Sequence, residues 1–156
     1  MFAEMYAYEV SGLILDSPFR SLSKVVDRIA TQSVPVPEIL LKPVLYLIKN
    51  NASKEANYDI FSIDYLSIFK RLNSNMPVLF IFSHFDGIVP AEEVFEFYNA
   101  YKGPKDFCQI YQTHDEDRSE DLFNQCMMWL TRTKRKNIEG LVQAREHLYG
   151  NRTASK

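Results

Sequence analysis

Two residues in the second half of the chain have the types and the spacing of an acid–base pair. Asp86 follows the apolar run at 77–82, and His114 follows a second strand-like run at 107–111. A carboxylate that orients an imidazole and stabilises its charged form allows that imidazole to transfer protons near neutral pH. The carboxyl ends of parallel strands meet at one edge of a sheet, and one helix and one strand fit between the two positions. The spacing therefore predicts that both side chains lie together at that edge.

A nucleophile is the missing member of such a set. A hydrolase serine typically stands in a G-x-S-x-G turn between a strand and a helix, and no serine here has glycine at both −2 and +2. Ser83 lacks that turn, Ser17 is expected to be a turn residue, and Cys108 is expected to pack as a small hydrophobic residue. We therefore expect the isolated chain to have no hydrolase activity above background.

The elements that must position Asp86 and His114 follow from the hydrophobic pattern. Apolar strands that alternate with amphipathic helices are typical of a parallel sheet covered on both faces. We predict strands over 10–15, 78–82 and 107–111, a loop over 50–57, and helices over 2–8, 21–30, 38–49, 63–72, 92–101, 119–132 and 137–149. The predicted inner face of the helix over 119–132 consists of Leu122, Phe123, Cys126, Met127 and Leu130.

Composition limits the class of protein. The 156 residues suffice for about one domain, and a hydrophobic fraction of 46% argues against global disorder. The net charge of −2 argues against nucleic acid as the main partner. Residues 1–10 lack the pattern of a signal peptide, and the apolar stretch at 39–48 is too short to span a bilayer. With two cysteines and no disulfide pattern, a cytoplasmic protein is expected.

Three segments together resemble a known family. Residues 12–19, 77–90 and 114–118 are similar, in that order, to segments of the α/β-hydrolases, and most similar to the serine aminopeptidase-like branch, which includes thioesterase-like members. The resemblance implies that Asp86 is the triad acid and His114 the catalytic base. The chain departs from the pattern at Phe82, where the family usually has His, and at Asp115, where it often has Asn.

The resemblance also implies an architecture. It covers roughly residues 1–132, which would form the carboxyl-terminal half of an α/β-hydrolase domain, with about three parallel strands and helices on both faces. The amino-terminal half of the sheet, with the nucleophile and the oxyanion loop, would be missing. Residues 133–156 would form a basic, partly helical tail.

Two classes of function remain open at this point. The first is a fragment of a serine hydrolase that cleaves ester, thioester or amide bonds, needs no cofactor or metal, and binds a small acyl or peptide-like substrate once an amino-terminal half completes it. The second is a non-catalytic interaction module, or pseudoenzyme, that self-associates through the exposed strand edge at 10–15. Asp86 as an ordinary turn residue and His114 as a solvated loop histidine are the plainer alternatives.

Overall fold

The computed structural model describes residues 10–72 and 75–153, with the side chains in those ranges except at 38, 141 and 144–153. The helix predicted over 2–8 lies outside the described residues. The elements in chain order are β1 (Leu13–Asp16), α1 (Leu22–Ser33), α2 (Glu38–Ala56), α3 (Tyr65–Phe69), β2 (Val78–Ser83), α4 (Ala91–Ala100), β3 (Lys105–Ile110) and α5 (Glu120–Thr153).

The three described strands form one parallel sheet in the order β1-β2-β3. Leu13 lies opposite Val78, and Val78 lies opposite Lys105. Every residue of the central strand β2 is buried, which explains its uninterrupted apolar sequence. The first three helices connect β1 to β2, so the predicted parallel sheet with a long helical crossover is confirmed.

Helices cover both faces of the sheet. Alternate residues of β2 point to opposite faces, as the pleat requires. Val78, Phe80 and Phe82 pack into a core with residues of α1, α3 and α4. Leu79 and Ile81 pack on the other face against α5, where Leu122 and Trp129 are buried. The central strand therefore holds two hydrophobic layers together.

Helix α2 corrects one prediction from the sequence. Residues 50–56, predicted as part of a loop, form the last two turns of α2, which also runs through Pro43. That polar segment contains no glycine or proline before Asn57, so nothing in the backbone stops the helix. The helix ends where Asn57 adopts a left-handed conformation with φ of 58°.

Helix α5 corrects a second prediction. It joins the two helices predicted over 119–132 and 137–149 into one. Its buried and half-buried residues form a narrow stripe, Leu122, Cys126, Trp129 and Thr133, of which the first three pack against the sheet. Because these positions follow spacings of four, three and four, they lie on one line along the helix. Three residues predicted to face inward are exposed on the flank of that line: Phe123, Met127 and Leu130.

Two shorter differences concern the ends of elements. Helix α3 covers only Tyr65–Phe69 of the predicted 63–72, and β1 begins at Leu13 instead of residue 10. None of the described helices is long and apolar enough to cross a membrane.

Candidate active site

The structure brings Asp86 and His114 into contact. Asp86 lies in the turn after β2 and His114 in the loop after β3, and His114 Nδ1 is 2.8 Å from Asp86 Oδ2. With a carboxylate as acceptor, Nδ1 carries the proton, and Nε2 has no hydrogen-bond partner among the described residues. The Asp86 side chain is fully buried, whereas 35% of the His114 side chain is exposed. The expected contact is present, while the catalytic role of the pair stays a prediction.

The second oxygen of Asp86 holds its own turn together. Asp86 Oδ1 accepts hydrogen bonds from the backbone N–H groups of Ile88, at 2.9 Å, and Val89, at 2.7 Å. This is the turn chemistry that aspartate commonly performs. The carboxylate therefore makes both kinds of contact, with one oxygen on its own turn and the other on the imidazole.

These contacts keep Asp86 ionised. Burial alone raises the pKa of Asp86, but the hydrogen bonds from His114, Val89 and Ile88 outweigh it and hold this pKa below the usual 3.8. A buried negative charge beside the imidazole stabilises the ring when it accepts a proton at Nε2. The electrostatics are those required of a triad acid.

Arg118 ties the His114 loop to the first strand. Its guanidinium donates to both carboxylate oxygens of Asp16, at 2.8 and 3.3 Å, and also to the Thr113 carbonyl, at 3.1 Å. The sequence placed Arg118 in the motif that carries the histidine but assigned it no role. Asp16 was not identified as a site residue, because only the folded sheet places the end of β1 beside this loop.

The alternative nucleophiles are engaged elsewhere. Ser83 is almost fully buried and donates to the carbonyl of Gln112, and Ser17 donates to Asp16 Oδ1 at 3.2 Å. Burial, assisted by the neighbouring Cys126, raises the pKa of the half-buried Cys108 thiol, which lowers its reactivity. None of Ser83, Ser17 and Cys108 hydrogen-bonds to His114.

A serine–lysine contact that the sequence did not suggest joins α1 to α2. Lys49 Nζ lies 2.7 Å from Ser23 Oγ, which is the pairing that some hydrolases use in place of serine and histidine. The same amine donates to Asp27 Oδ1 at 2.6 Å. Lys49 thus bridges two side chains of α1, and neither Lys49 nor Ser23 hydrogen-bonds to Asp86 or His114, so the contact is a link between two helices.

Comparison with known proteins gives a fold-level result. No family model and no curated protein matches the chain. It is similar to the crystal structure of acetyl xylan esterase 1 from Thermoanaerobacterium sp. JW/SL YS485, with a TM-score of 0.50 and 20% identity over 78% of this chain and 38% of that one. It is also similar to the esterase Pf2001 of Pyrococcus furiosus, with a TM-score of 0.52 and 23% identity over 86% of this chain and 46% of that one.

The chain has part of an α/β-hydrolase-type fold. This follows from the parallel sheet with helices on both faces, together with the two esterase structures. The chain spans less than half the length of either esterase. The predicted partial α/β fold is confirmed, and the serine aminopeptidase-like branch stays a prediction.

Proposed function

We propose that this chain carries the acid and the base of a serine-hydrolase site that cleaves ester, thioester or amide bonds. The observation that carries the proposal is the 2.8 Å contact between His114 Nδ1 and Asp86 Oδ2, with both residues in loops at the carboxyl ends of parallel strands. The nucleophile would come from a segment that precedes these residues or from a separate chain. The finer assignment is to the serine aminopeptidase-like branch, with a small acyl or peptide-like substrate.

In this mechanism His114 moves protons and Asp86 keeps it in place. His114 Nε2 takes the proton of the attacking serine hydroxyl and then delivers it to the leaving group. Asp86 stays ionised, fixes the Nδ1–H tautomer and stabilises the imidazolium. Backbone N–H groups of the complementary segment would hold the oxyanion.

The complete site is required for turnover. Removal of a hydrolase nucleophile alone lowers turnover on the order of 10⁶-fold. A fluorophosphonate probe is therefore expected to leave the purified chain unlabelled. Stoichiometric labelling of the purified chain would show that the chain has a reactive nucleophile of its own. It would refute the assignment in which Asp86 and His114 lack a nucleophile within this chain.

The positive test begins with the coding sequence upstream of the Met1 codon. The chain is expressed with the protein segment that this sequence encodes, and labelling by fluorophosphonate and hydrolysis of p-nitrophenyl acetate are measured. We expect a serine of the added segment to be labelled, His114→Ala to abolish hydrolysis, and Asp86→Asn to lower it by about 10⁴-fold. The proposal is overturned if no serine reacts or if His114→Ala leaves the labelling unchanged.

His84 provides the matched control. Its ring stacks on Tyr111 with centroids 5.2 Å apart, and it makes no hydrogen bond to Asp86. His84→Ala is therefore expected to retain hydrolysis. Equal losses from His84→Ala and His114→Ala would show that the chemistry does not depend on the Asp86 contact.

A non-catalytic interaction module is the second candidate, because the edge of β1 is open among the described strands. Beside this edge lies a groove of about 380 Å³ whose apolar lining includes Leu13, Leu15 and Phe19. Leu13 donates its backbone N–H to the carbonyl of Pro77, directly before β2, and Ser17 donates to the carbonyl of Ile81 within β2. The N–H of Ile14 therefore points away from β2. An unpaired apolar edge of this kind favours strand addition.

Light scattering after size-exclusion chromatography tests this second candidate. Association through the β1 edge is expected to disappear in Ile14→Pro, which removes the outward N–H, and to persist in Ile14→Val. A monomer at high concentration would contradict self-association.

A further inference from the structure

The second half of α1 reaches across to the turn that carries Asp86. Arg28 Nη1 donates to the carbonyl of Ile88 at 2.9 Å, and Gln32 Nε2 donates to the carbonyl of Gly87 at 2.9 Å. The two side chains are four positions apart, so they lie on the same face of the helix. Neither residue makes a hydrogen bond to His114.

These two carbonyls belong to the same peptide groups that bind Asp86. The carbonyl of Gly87 shares a peptide plane with the N–H of Ile88, and the carbonyl of Ile88 shares one with the N–H of Val89. Both N–H groups donate to Asp86 Oδ1. Each of the two peptide groups is therefore bound at its oxygen by a side chain of α1 and at its nitrogen by Asp86. Because a peptide group is rigid, the contact at its oxygen and the contact at its nitrogen are coupled.

The coupling is electronic as well as geometric. Hydrogen bonds in a chain polarise one another, so a donor on the carbonyl makes the N–H of the same peptide a better donor. The cationic guanidinium of Arg28 acts on the Ile88–Val89 peptide, whose N–H makes the shorter bond to Asp86, at 2.7 Å. The neutral amide of Gln32 acts on the Gly87–Ile88 peptide, whose N–H bond to Asp86 is 2.9 Å long.

A buried carboxylate fixes the orientation of Arg28. Glu93, near the start of α4, is 8% exposed and pairs with Arg28 Nη2. Because a buried carboxylate without a cation is costly, this pair keeps the guanidinium at the interface between α1, α4 and the turn. Arg28 thus joins three segments, of which the turn contains Asp86.

We propose that Arg28 and Gln32 are positioning residues that act through the peptide groups at 87–89 to hold the Asp86 carboxylate in its turn and aligned with His114. The catalytic meaning of this arrangement rests on the proposed function. The effect of Arg28 and Gln32 on Asp86 needs no complementary segment, so it can be measured in this chain alone.

The test is an NMR titration of the Asp86 carboxyl carbon together with hydrogen exchange of the Ile88 and Val89 amides. In Gln32→Ala and in Arg28→Lys, we expect the pKa of Asp86 to rise, because weaker N–H donors stabilise its charge less. In Gln32→Ala, exchange at Ile88 is expected to accelerate roughly tenfold, as for the loss of about one neutral hydrogen bond. In Arg28→Lys, exchange at Val89 is expected to accelerate at least as much, because the bond that is lost has a charged donor. Arg28→Lys keeps a cation beside Glu93 but loses the fork that reaches two acceptors.

Arg20→Lys is the matched control. Arg20 pairs through its side chain with Asp64 and Glu96 instead of the turn, so its replacement is expected to leave the Asp86 titration unchanged. Gln32 is exposed, so Gln32→Ala carries the test if Arg28→Lys does not fold. An unchanged Asp86 titration and unchanged amide exchange in a folded Gln32→Ala variant would overturn the proposal, even if the melting temperature fell.

The two proposals fail in different experiments. If the serine assay fails while Asp86 responds to Gln32→Ala, the positioning stands without the hydrolase. If hydrolysis depends on His114 while Asp86 does not respond, the hydrolase stands without the positioning role of α1.

Discussion

Replacing Asp86 by Asn removes one charge while it keeps the shape of the side chain. The Asn oxygen can still accept from the N–H groups of Ile88 and Val89, which hold Oδ1 at 2.9 and 2.7 Å in the native turn. The amide nitrogen then faces His114 Nδ1, where the carboxylate accepts a hydrogen bond at 2.8 Å in the native chain. The substitution therefore removes the charged hydrogen bond between the acid and the base, and it makes the two hydrogen bonds from the turn neutral ones.

The expected loss in the free energy of unfolding is at least the value of the bond to His114, because the bonds from Ile88 and Val89 are weakened as well. A hydrogen bond to a charged group contributes about 1.5–3 kcal/mol to stability. For a chain of this length, this corresponds to a fall in Tm of roughly 3–12 °C. Asp86→Ala is expected to cost more, because it also leaves two N–H groups without their acceptor, at about 1–3 kcal/mol each.

The pH dependence has a definite sign. The pKa of Asp86 lies below its ordinary value of 3.8, because the hydrogen bonds from His114, Val89 and Ile88 outweigh the effect of burial, which raises it. The carboxylate thus stabilises the fold fully above pH 3.8 and loses that contribution as the pH falls through its lower, folded pKa. The stability difference between the native chain and Asp86→Asn should therefore shrink in acid.

Denaturant unfolding of the native chain and Asp86→Asn at a series of pH values from 7 down to 2 measures this difference. Equal stabilities at pH 7, or a difference that stays constant as the pH falls, would refute the reasoning that the charge of Asp86 is stabilised by its partners. Asp64→Asn is the control for size of effect. Asp64 is half-buried and contacts Arg20 and Ser67 near the surface, where such pairs contribute little, so its replacement should cost less free energy of unfolding at pH 7 than Asp86→Asn.

Three further predictions concern the supports of the site. Arg118→Ala is expected to lower the free energy of unfolding by at most about 1 kcal/mol, because the ion pair between Arg118 and Asp16 is partly exposed. Exchange of the His114 ring N–H, followed by NMR, should nevertheless accelerate in this variant. An unchanged exchange rate would contradict the role of Arg118 in ordering the loop. Trp129→Ala should lower the free energy of unfolding by about 3–5 kcal/mol in urea titrations, and a loss near zero would show that this side chain is not part of the core. Phe123→Ser should change stability by less than about 0.5 kcal/mol in the same assay, and a large loss would restore Phe123 to the inner face of α5.

The parts of the fold that the sequence predicted are those set by local chemistry. The run at 78–82 is apolar without interruption because β2 is buried on both faces. The residues of the run are therefore sufficient to predict a buried strand. Asp86 follows this run, and His114 follows the run at 107–111, which is interrupted by Gln109 and lies in the largely exposed strand β3. The rule that parallel strands present their carboxyl ends at one edge of a sheet predicted that the two residues are close together.

The parts that the sequence did not predict depend on tertiary contacts. The exposure of Phe123 follows from the narrow contact between α5 and the sheet, and periodicity alone cannot show how wide a helix contact is. The length of α2 was underestimated because its last turns are polar and face solvent, where no hydrophobic pattern marks a helix. The contacts of Arg28 and Gln32 with the 87–89 turn join residues more than 50 positions apart, so no local motif contains them.

The arrangement around Asp86 and His114 bears on how a nucleophile would meet them. The Asp86 turn is anchored to α1 through Arg28, and the His114 loop is anchored to β1 through Arg118. Ser83 at the end of β2 also donates to the carbonyl of Gln112 in the His114 loop, which connects the two loops directly. Contacts within this chain thus order both loops, and a complementary segment would not need to order them on binding. Since Asp86 is sealed from solvent and His114 is partly open, the exposed part of the imidazole is where a serine hydroxyl would have to be placed.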